Sequence, residues 1–259
     1  MGFRGSMGGT PASIPFTPMV KRLVIINVAI WLICQVILEQ FVLDKPFITL
    51  NFGLVPVFVL EKFYIWQIVT YMFLHSLNPM HILFNMLMLW WMGSELETRW
   101  GSKFFLLYYF VCGIGAGVIY SIIALAVVLL GGGASALIVP VIGASGALFG
   151  LLLAYGVLFG ERIVYFMFVF PMRAKYFVII LGAVELLFLI NNGVGNSGVA
   201  NLAHLGGLVT GYLFMIFWTR WQRKRRVKSG ASKSAGHLEL IVNNERKNNN
   251  GSRDPRFWN

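Results

Sequence analysis

Ser145 stands in Gly143-Ala144-Ser145-Gly146, a run of small residues that turns the chain into an apolar stretch. A serine hydroxyl becomes a nucleophile when a base takes its proton, and flanking glycines let another backbone come close. At a helix N-terminus the serine also lies among unpaired N–H groups, which favour a developing oxyanion. A matching base is His204, and two further polar groups, His81 and Asn85, also sit in apolar surroundings. His81 and Asn85 are four residues apart and share one helix face. Asn201, His204, Gly207 and Gly211 fall on another, where Gly207-x-x-x-Gly211 is a small-residue stripe that lets two membrane helices touch. If the touching helix is the one that Ser145 opens, the His204 imidazole reaches the hydroxyl as a general base. Each piece has a plainer reading. Gly-x-Ser-Gly in a span usually serves packing, a lone membrane histidine is often structural, and His81 with Asn85 can simply bridge helices. The combination of a nucleophile, a base and two donors is what points to acyl transfer.

The elements that must hold these groups are membrane helices. The 259 residues are 58% hydrophobic and only 12% charged, with a mean hydropathy of +0.73. A water-soluble domain has no surface to make from such a composition, and a polytopic membrane protein does. Six apolar segments emerge: Leu23 to Leu38, reaching as far as Leu43; Pro79 to Leu96; Phe104 to Leu130; Ser145 to Phe159; Tyr176 to Ile190; and Ala200 to Trp218. The fourth is short for a hydrocarbon core of about 30 Å. The stretch between the first two spans carries Asp44, Pro46, Pro56, Glu61 and Lys62, and reads as an interfacial loop. The expected architecture is an all-α bundle of six transmembrane helices with a membrane-associated first loop. Alternating direction then puts His81, Asn85, Ser145 and His204 at one depth, near the same face of the membrane.

The charges agree with that count. Arg4, Lys21, Arg22, Arg99, Lys103, Arg162, Arg173, Lys175 and the run Arg220, Arg223, Lys224, Arg225, Arg226 and Lys228 all fall on one side. The other side holds only Lys45 and Lys62. The positive-inside rule makes the cation-rich side cytoplasmic, with both termini there. The formal net charge of +11 is thus a membrane signature, and no nucleic-acid partner is expected. Residues 1–20 read as a flexible leader without a cleavable signal, 21–221 as the membrane domain, and 222–259 as a basic, polar, disordered tail. Cys34 and Cys112 lie in apolar spans and read as small buried hydrophobes, with no disulfide framework, metal site or cofactor implied.

These residues resemble the rhomboid family of intramembrane serine proteases. The resemblance runs from Trp66 to Gly211. It is carried by Trp66-x-x-x-Thr70-Tyr71-x-Phe73-x-His75, His81-x-x-x-Asn85, Glu97-x-x-x-Gly101, Gly143-Ala144-Ser145-Gly146 and Ala203-His204-Leu205-Gly206-Gly207. It implies a Ser145–His204 dyad needing no acidic third member, with an oxyanion hole from His81, Asn85 and the Ser145 N–H. It also implies a first loop lying in the outer leaflet and a fifth span that moves to admit substrate. The substrates implied are single-pass membrane proteins, cut near the non-cytoplasmic surface, and the compact form suggests a bacterial plasma membrane. Phe149 stands where some members have a tyrosine; its ring can stack on the histidine but brings no hydroxyl. Gln67 follows Trp66 where many members have arginine, and His75 is assigned to hydrogen bonding within the loop. Glu185, in mid-span, matches no catalytic role and is assigned to pairing between helices, with an influence on gate motion as the alternative.

Other membrane proteases fit poorly. The chain has no His-Glu-x-x-His for zinc and no pair of membrane aspartates. A catalytically inactive, client-binding relative would usually have lost the serine or the histidine. A transporter would need polar groups across the full depth rather than at one end.

Overall fold

The computed structural model describes residues 15–43, 45–166, 169–194 and 198–233. Most of the expected leader, and the tail from 234 on, lie outside the described residues. Two compact units are distinguished, Met1–Trp218 and Thr219–Asn259.

The first unit opens with α1 (Pro18–Ile30), which continues through a wider π-type stretch, Trp31–Leu43. Proline at the first turn starts α1, but Thr17 makes no side-chain cap of its own. The cap comes from Glu97 instead. Its carboxylate accepts hydrogen bonds from the Thr17 hydroxyl (2.5 Å), the backbone N–H of Met19 (3.0 Å) and Val20 (2.9 Å), and the Ser102 hydroxyl (2.5 Å). A buried carboxylate at a helix N-terminus satisfies orphan donors and complements the helix dipole. Glu97→Ala is therefore expected to destabilise the fold by about 2–3 kcal/mol, with Glu97→Gln losing less. Thermal unfolding of the purified variants in detergent checks this, and equal midpoints for all three would refute it.

The interfacial loop contains three short helices, α2 (Phe47–Phe52), α3 (Pro56–Glu61) and α4 (Gln67–Thr70). Gln67 anchors it: its side chain accepts from Val55 N (3.0 Å) and donates to the Leu50 carbonyl (2.8 Å). The Trp66 indole donates to the Asn51 carbonyl at 2.8 Å. An uncharged glutamine can do both, so the loop is tied without a charge at this position.

The second apolar segment is α5 (Pro79–Met88), a π-type turn (Leu89–Gly93) and α6 (Ser94–Trp100). Then come α7 (Ser102–Leu129), the short α8 (Ser135–Ile138) and α9 (Ser145–Leu158). A feature absent from the all-α expectation follows: a two-stranded antiparallel hairpin, β1 (Ile163–Phe166) and β2 (Phe170–Arg173). It connects α9 to α10 (Ala174–Asn192) and is braced at the chain's turn by Glu161, which pairs with Arg173 and Lys175. The Lys175 ammonium, with Arg173, holds the Glu161 carboxyl below its usual range. The last helix, α11, is Gly198–Lys233. Helix thus continues past 222, where a disordered tail was expected. In the second unit the Arg225 guanidinium lies 4.1 Å from the centre of the Trp221 ring.

Four of the expected spans are helices long and apolar enough to cross a membrane: Pro18–Leu43, Ser102–Leu129, Ala174–Asn192 and Gly198–Arg225. Residues 79–100 and the 14-residue α9 occupy the other two positions, neither as an uninterrupted α-helix of spanning length. Large apolar side chains such as Ile25, Phe84, Ile122, Ile180 and Leu213 face outward, as lipid contact allows and water does not. α9 differs from the rest. Most of it is buried, including Ala147, Leu148, Leu151, Leu152 and Ala154, so it is a core helix sheathed by protein. That explains how so short a helix is tolerated.

Candidate active site

The site is built where α9 meets α11 through glycines. A Cβ added to Gly207 would lie 1.9 Å from the Gly146 carbonyl oxygen. One added to Gly150 would lie 3.3 Å from the Gly207 carbonyl oxygen, and one on Gly211 would lie 3.2 Å from the Gly150 Cα. Backbones this close gain van der Waals contact along their whole seam, the main attraction available between helices in lipid. Tyr108 closes the seam by donating from its hydroxyl to the Gly150 carbonyl at 3.0 Å. Cys112 is buried beside it, whereas Cys34 is half-buried.

This contact sets the distance that matters. The His204 Nε2 lies 2.8 Å from the Ser145 Oγ, hydrogen-bond distance across 59 residues of sequence. Phe149, one turn below the serine, lies flat on the imidazole, with ring centres 4.3 Å apart and planes 10° apart. The stack fixes the plane of the ring while Ser145 sits at the first turn of α9.

The turn before Ser145 is held by the interfacial loop. Leu54 and Val141 exchange two backbone hydrogen bonds of 2.9 Å, and Gly143 N donates to the Tyr71 carbonyl at 2.9 Å. Gly143 has φ +125°, a conformation L side chains rarely adopt. A Cβ there would lie 2.9 Å from the His81 Nε2 and 3.5 Å from the Ser145 Oγ. Glycine at 143 therefore leaves open the space between those two groups.

His81 points Nε2 into that space, and its other nitrogen decides what Nε2 can do. Nδ1 accepts the Ser76 backbone N–H at 3.2 Å, with the Ser76 hydroxyl at 3.1 Å. A neutral imidazole that accepts at Nδ1 carries its proton on Nε2 and is a donor there. Asn85 is on the same face and donates one Nδ2 hydrogen to the His81 carbonyl at 2.7 Å, leaving the second. A cavity of about 320 Å³ collects these groups, lined among others by His81, Asn85, Ser145, Gly146, Phe149 and His204.

Two expectations are refined here. His75, assigned to hydrogen bonding in the loop, is buried with the Phe73 backbone as the polar group facing its ring, and its own backbone N–H donates to the Gln35 side chain at 2.6 Å. Burial, with His81 5.2 Å away, lowers the His75 pKa to about 4. The second change concerns Glu185. It pairs between helices as expected, but its partner is the His204 imidazole: Oε2 lies 3.1 Å from Nδ1. The approach is oblique, and Nδ1 has no aligned hydrogen bond. Asn201 donates to the same oxygen at 2.5 Å. The signal available in the sequence was an acidic residue in mid-span together with Asn201 one turn before His204. Among the described residues no cluster of metal-ligating side chains occurs.

Fold and site together define an integral membrane protein that carries a serine–imidazole pair inside its helical bundle. The model of the Rhomboid domain matches residues 62–221, and the chain belongs to the rhomboid family. It is 33% identical over 156 residues to RHOMBOID-like protein 1 of Arabidopsis thaliana, covering 60% of this chain and 35% of that one. It is 32% identical over 150 residues to Rhomboid protease GluP of Bacillus subtilis, covering 57% and 25%. Identity to Rhomboid protease GlpG of Yersinia pestis is 31% over 166 residues, covering 63% and 51%. The matched region thus spans between a quarter and about half of the length of these relatives.

Proposed function

We propose that this protein is an intramembrane serine endopeptidase that hydrolyses peptide bonds of single-pass membrane proteins near the non-cytoplasmic surface. The observation that carries the reading is the 2.8 Å contact between the Ser145 hydroxyl and the His204 Nε2 at an open cavity within an apolar bundle. The Ser145 Oγ attacks the scissile carbonyl carbon while Nε2 takes the hydroxyl proton. The oxyanion is held by the His81 Nε2–H, the free Nδ2 hydrogen of Asn85 and the Ser145 N–H at the start of α9. Collapse breaks the C–N bond, and the imidazolium returns its proton to the leaving amine. Water, deprotonated by His204, then releases the acyl group from Ser145.

A peptide bond within a helix has its carbonyl hydrogen-bonded, so substrates are segments with small or helix-breaking residues near the cut. The cation distribution supports a cytoplasmic position for both termini, and the compact form suits a bacterial plasma membrane. Residues 21–221 form the proteolytic domain, with a leader before it and a basic tail after it.

The test uses the full chain in liposomes with a labelled single-pass substrate and, in parallel, a fluorophosphonate probe. Cleavage together with probe attachment at Ser145, located by mass spectrometry, is the expected result. A folded protein that neither cleaves a panel of such substrates nor reacts with the probe would overturn the reading in favour of client binding.

A further inference from the structure

We infer that Glu185 is a positioning residue for the His204 imidazole, so that the site works as a Glu185–His204–Ser145 series rather than as a dyad; this rests on the proteolytic reading above. Glu185 lies on α10, Asn201 and His204 on α11, and Ser145 on α9, so three helices contribute to one line of polar groups. The two ring nitrogens of His204 have different neighbours. Nε2 meets the serine at 2.8 Å, and Nδ1 meets the Glu185 carboxylate at 3.1 Å. A neutral imidazole can serve as base at Nε2 only if its proton sits on Nδ1. An anionic acceptor beside Nδ1 favours that tautomer and stabilises the imidazolium once Nε2 has taken the serine proton.

The carboxylate is itself positioned. Asn201 holds Oε2 at 2.5 Å from one turn before His204 on the same helix, so acceptor and imidazole keep a common frame. Phe149 stacks on the ring face and brings no hydroxyl, so Glu185, with Oε2 3.1 Å from Nδ1, is the polar group that meets the ring edge opposite the serine. The titratable groups that face His204 are Glu185 from α10 and His81 from α5, with the Ser145 hydroxyl from α9. A carboxylate in an apolar span is costly to keep, and this one touches the base.

The experiment compares wild type, Glu185→Leu and Glu185→Gln, with Asn201→Ala as the variant that keeps the charge but loosens it. Leucine suits a membrane helix and guards against a mere folding failure. Cleavage and fluorophosphonate labelling are followed from pH 5 to pH 9 in liposomes, and 15N-histidine NMR reports which ring nitrogen of His204 carries the proton. Expected are a fall in kcat of about 10²-fold for Glu185→Leu and about tenfold for Glu185→Gln, with KM little changed. The Nδ1–H tautomer of His204 should lose population, and Asn201→Ala should give a smaller change in the same direction. An unchanged His204 spectrum in Glu185→Leu overturns the inference whether or not the protein cleaves. So does a folded Glu185→Leu with wild-type kcat. If His204 responds but wild type neither cleaves nor labels, the proteolytic reading fails while the positioning of the imidazole by Glu185 stands.

Discussion

Alanine at Ser145 should lower kcat for substrate cleavage by at least about 10⁴-fold, and alanine at His204 should do nearly the same. The expectation follows from geometry. The hydroxyl sits 2.8 Å from Nε2, and among the described residues no second serine lies against His204 to replace it. The double variant should be no worse than either single one, since the two groups act as a unit and removing one idles the other. Single-turnover cleavage in liposomes measures the loss. The variants separate at high pH, where His204→Ala recovers some activity because hydroxide can take the serine proton, whereas Ser145→Ala recovers none. Equal cleavage by wild type and Ser145→Ala would mean another nucleophile and would sink the mechanism.

The second large effect is expected far from any proton. Gly207→Ala should both destabilise the protein, by about 3 kcal/mol, and cut kcat by at least about 10²-fold. Its methyl group would lie 1.9 Å from the Gly146 carbonyl oxygen, which is backbone and cannot rotate away. The helices must part, and Ser145 and His204 are each within one turn of that contact on α9 and α11. A displacement of about 1 Å between reacting groups is enough for the loss in rate. Gly133→Ala is the matched control, because its Cβ would meet only the Ser135 Oγ, at 3.9 Å. The two variants are compared by unfolding in detergent and by cleavage kinetics. A Gly207→Ala protein with wild-type kcat would show that the seam does not set the distance between the two groups.

What could be read from the sequence, and what could not, divides along physical lines. Gly143, Ser145, Gly146, His204 and Gly207 were legible because small and polar residues in a hydrophobic background carry their reason with them. Four of the apolar segments were legible as helices of spanning length, because a long apolar run has no other place to go. Rotation of each helix about its axis was not. α10 is apolar nearly all round, so its sequence marks Glu185 as turned from lipid but does not say which neighbouring helix it meets. The π-type stretches Trp31–Leu43 and Leu89–Gly93 were hidden too, since one extra residue per turn leaves no mark on a uniformly apolar run. The pairing of Ile163–Phe166 with Phe170–Arg173 is not legible either, because both strands are short and lie between charged residues. The full burial of His75 was hidden as well, since a histidine in an interfacial loop suggests contact with water.

Glu97 supplies the cap of α1 from 77 to 80 residues further along the chain. At a synthesis rate of about 5–20 residues per second, that delay is about 4–16 s. During that interval the opening turn of α1 lacks the carboxylate that later accepts from its N–H groups. A helix made early is thus completed by one made well after it, and the return of α6 to the start of α1 is the event that locks that turn in place.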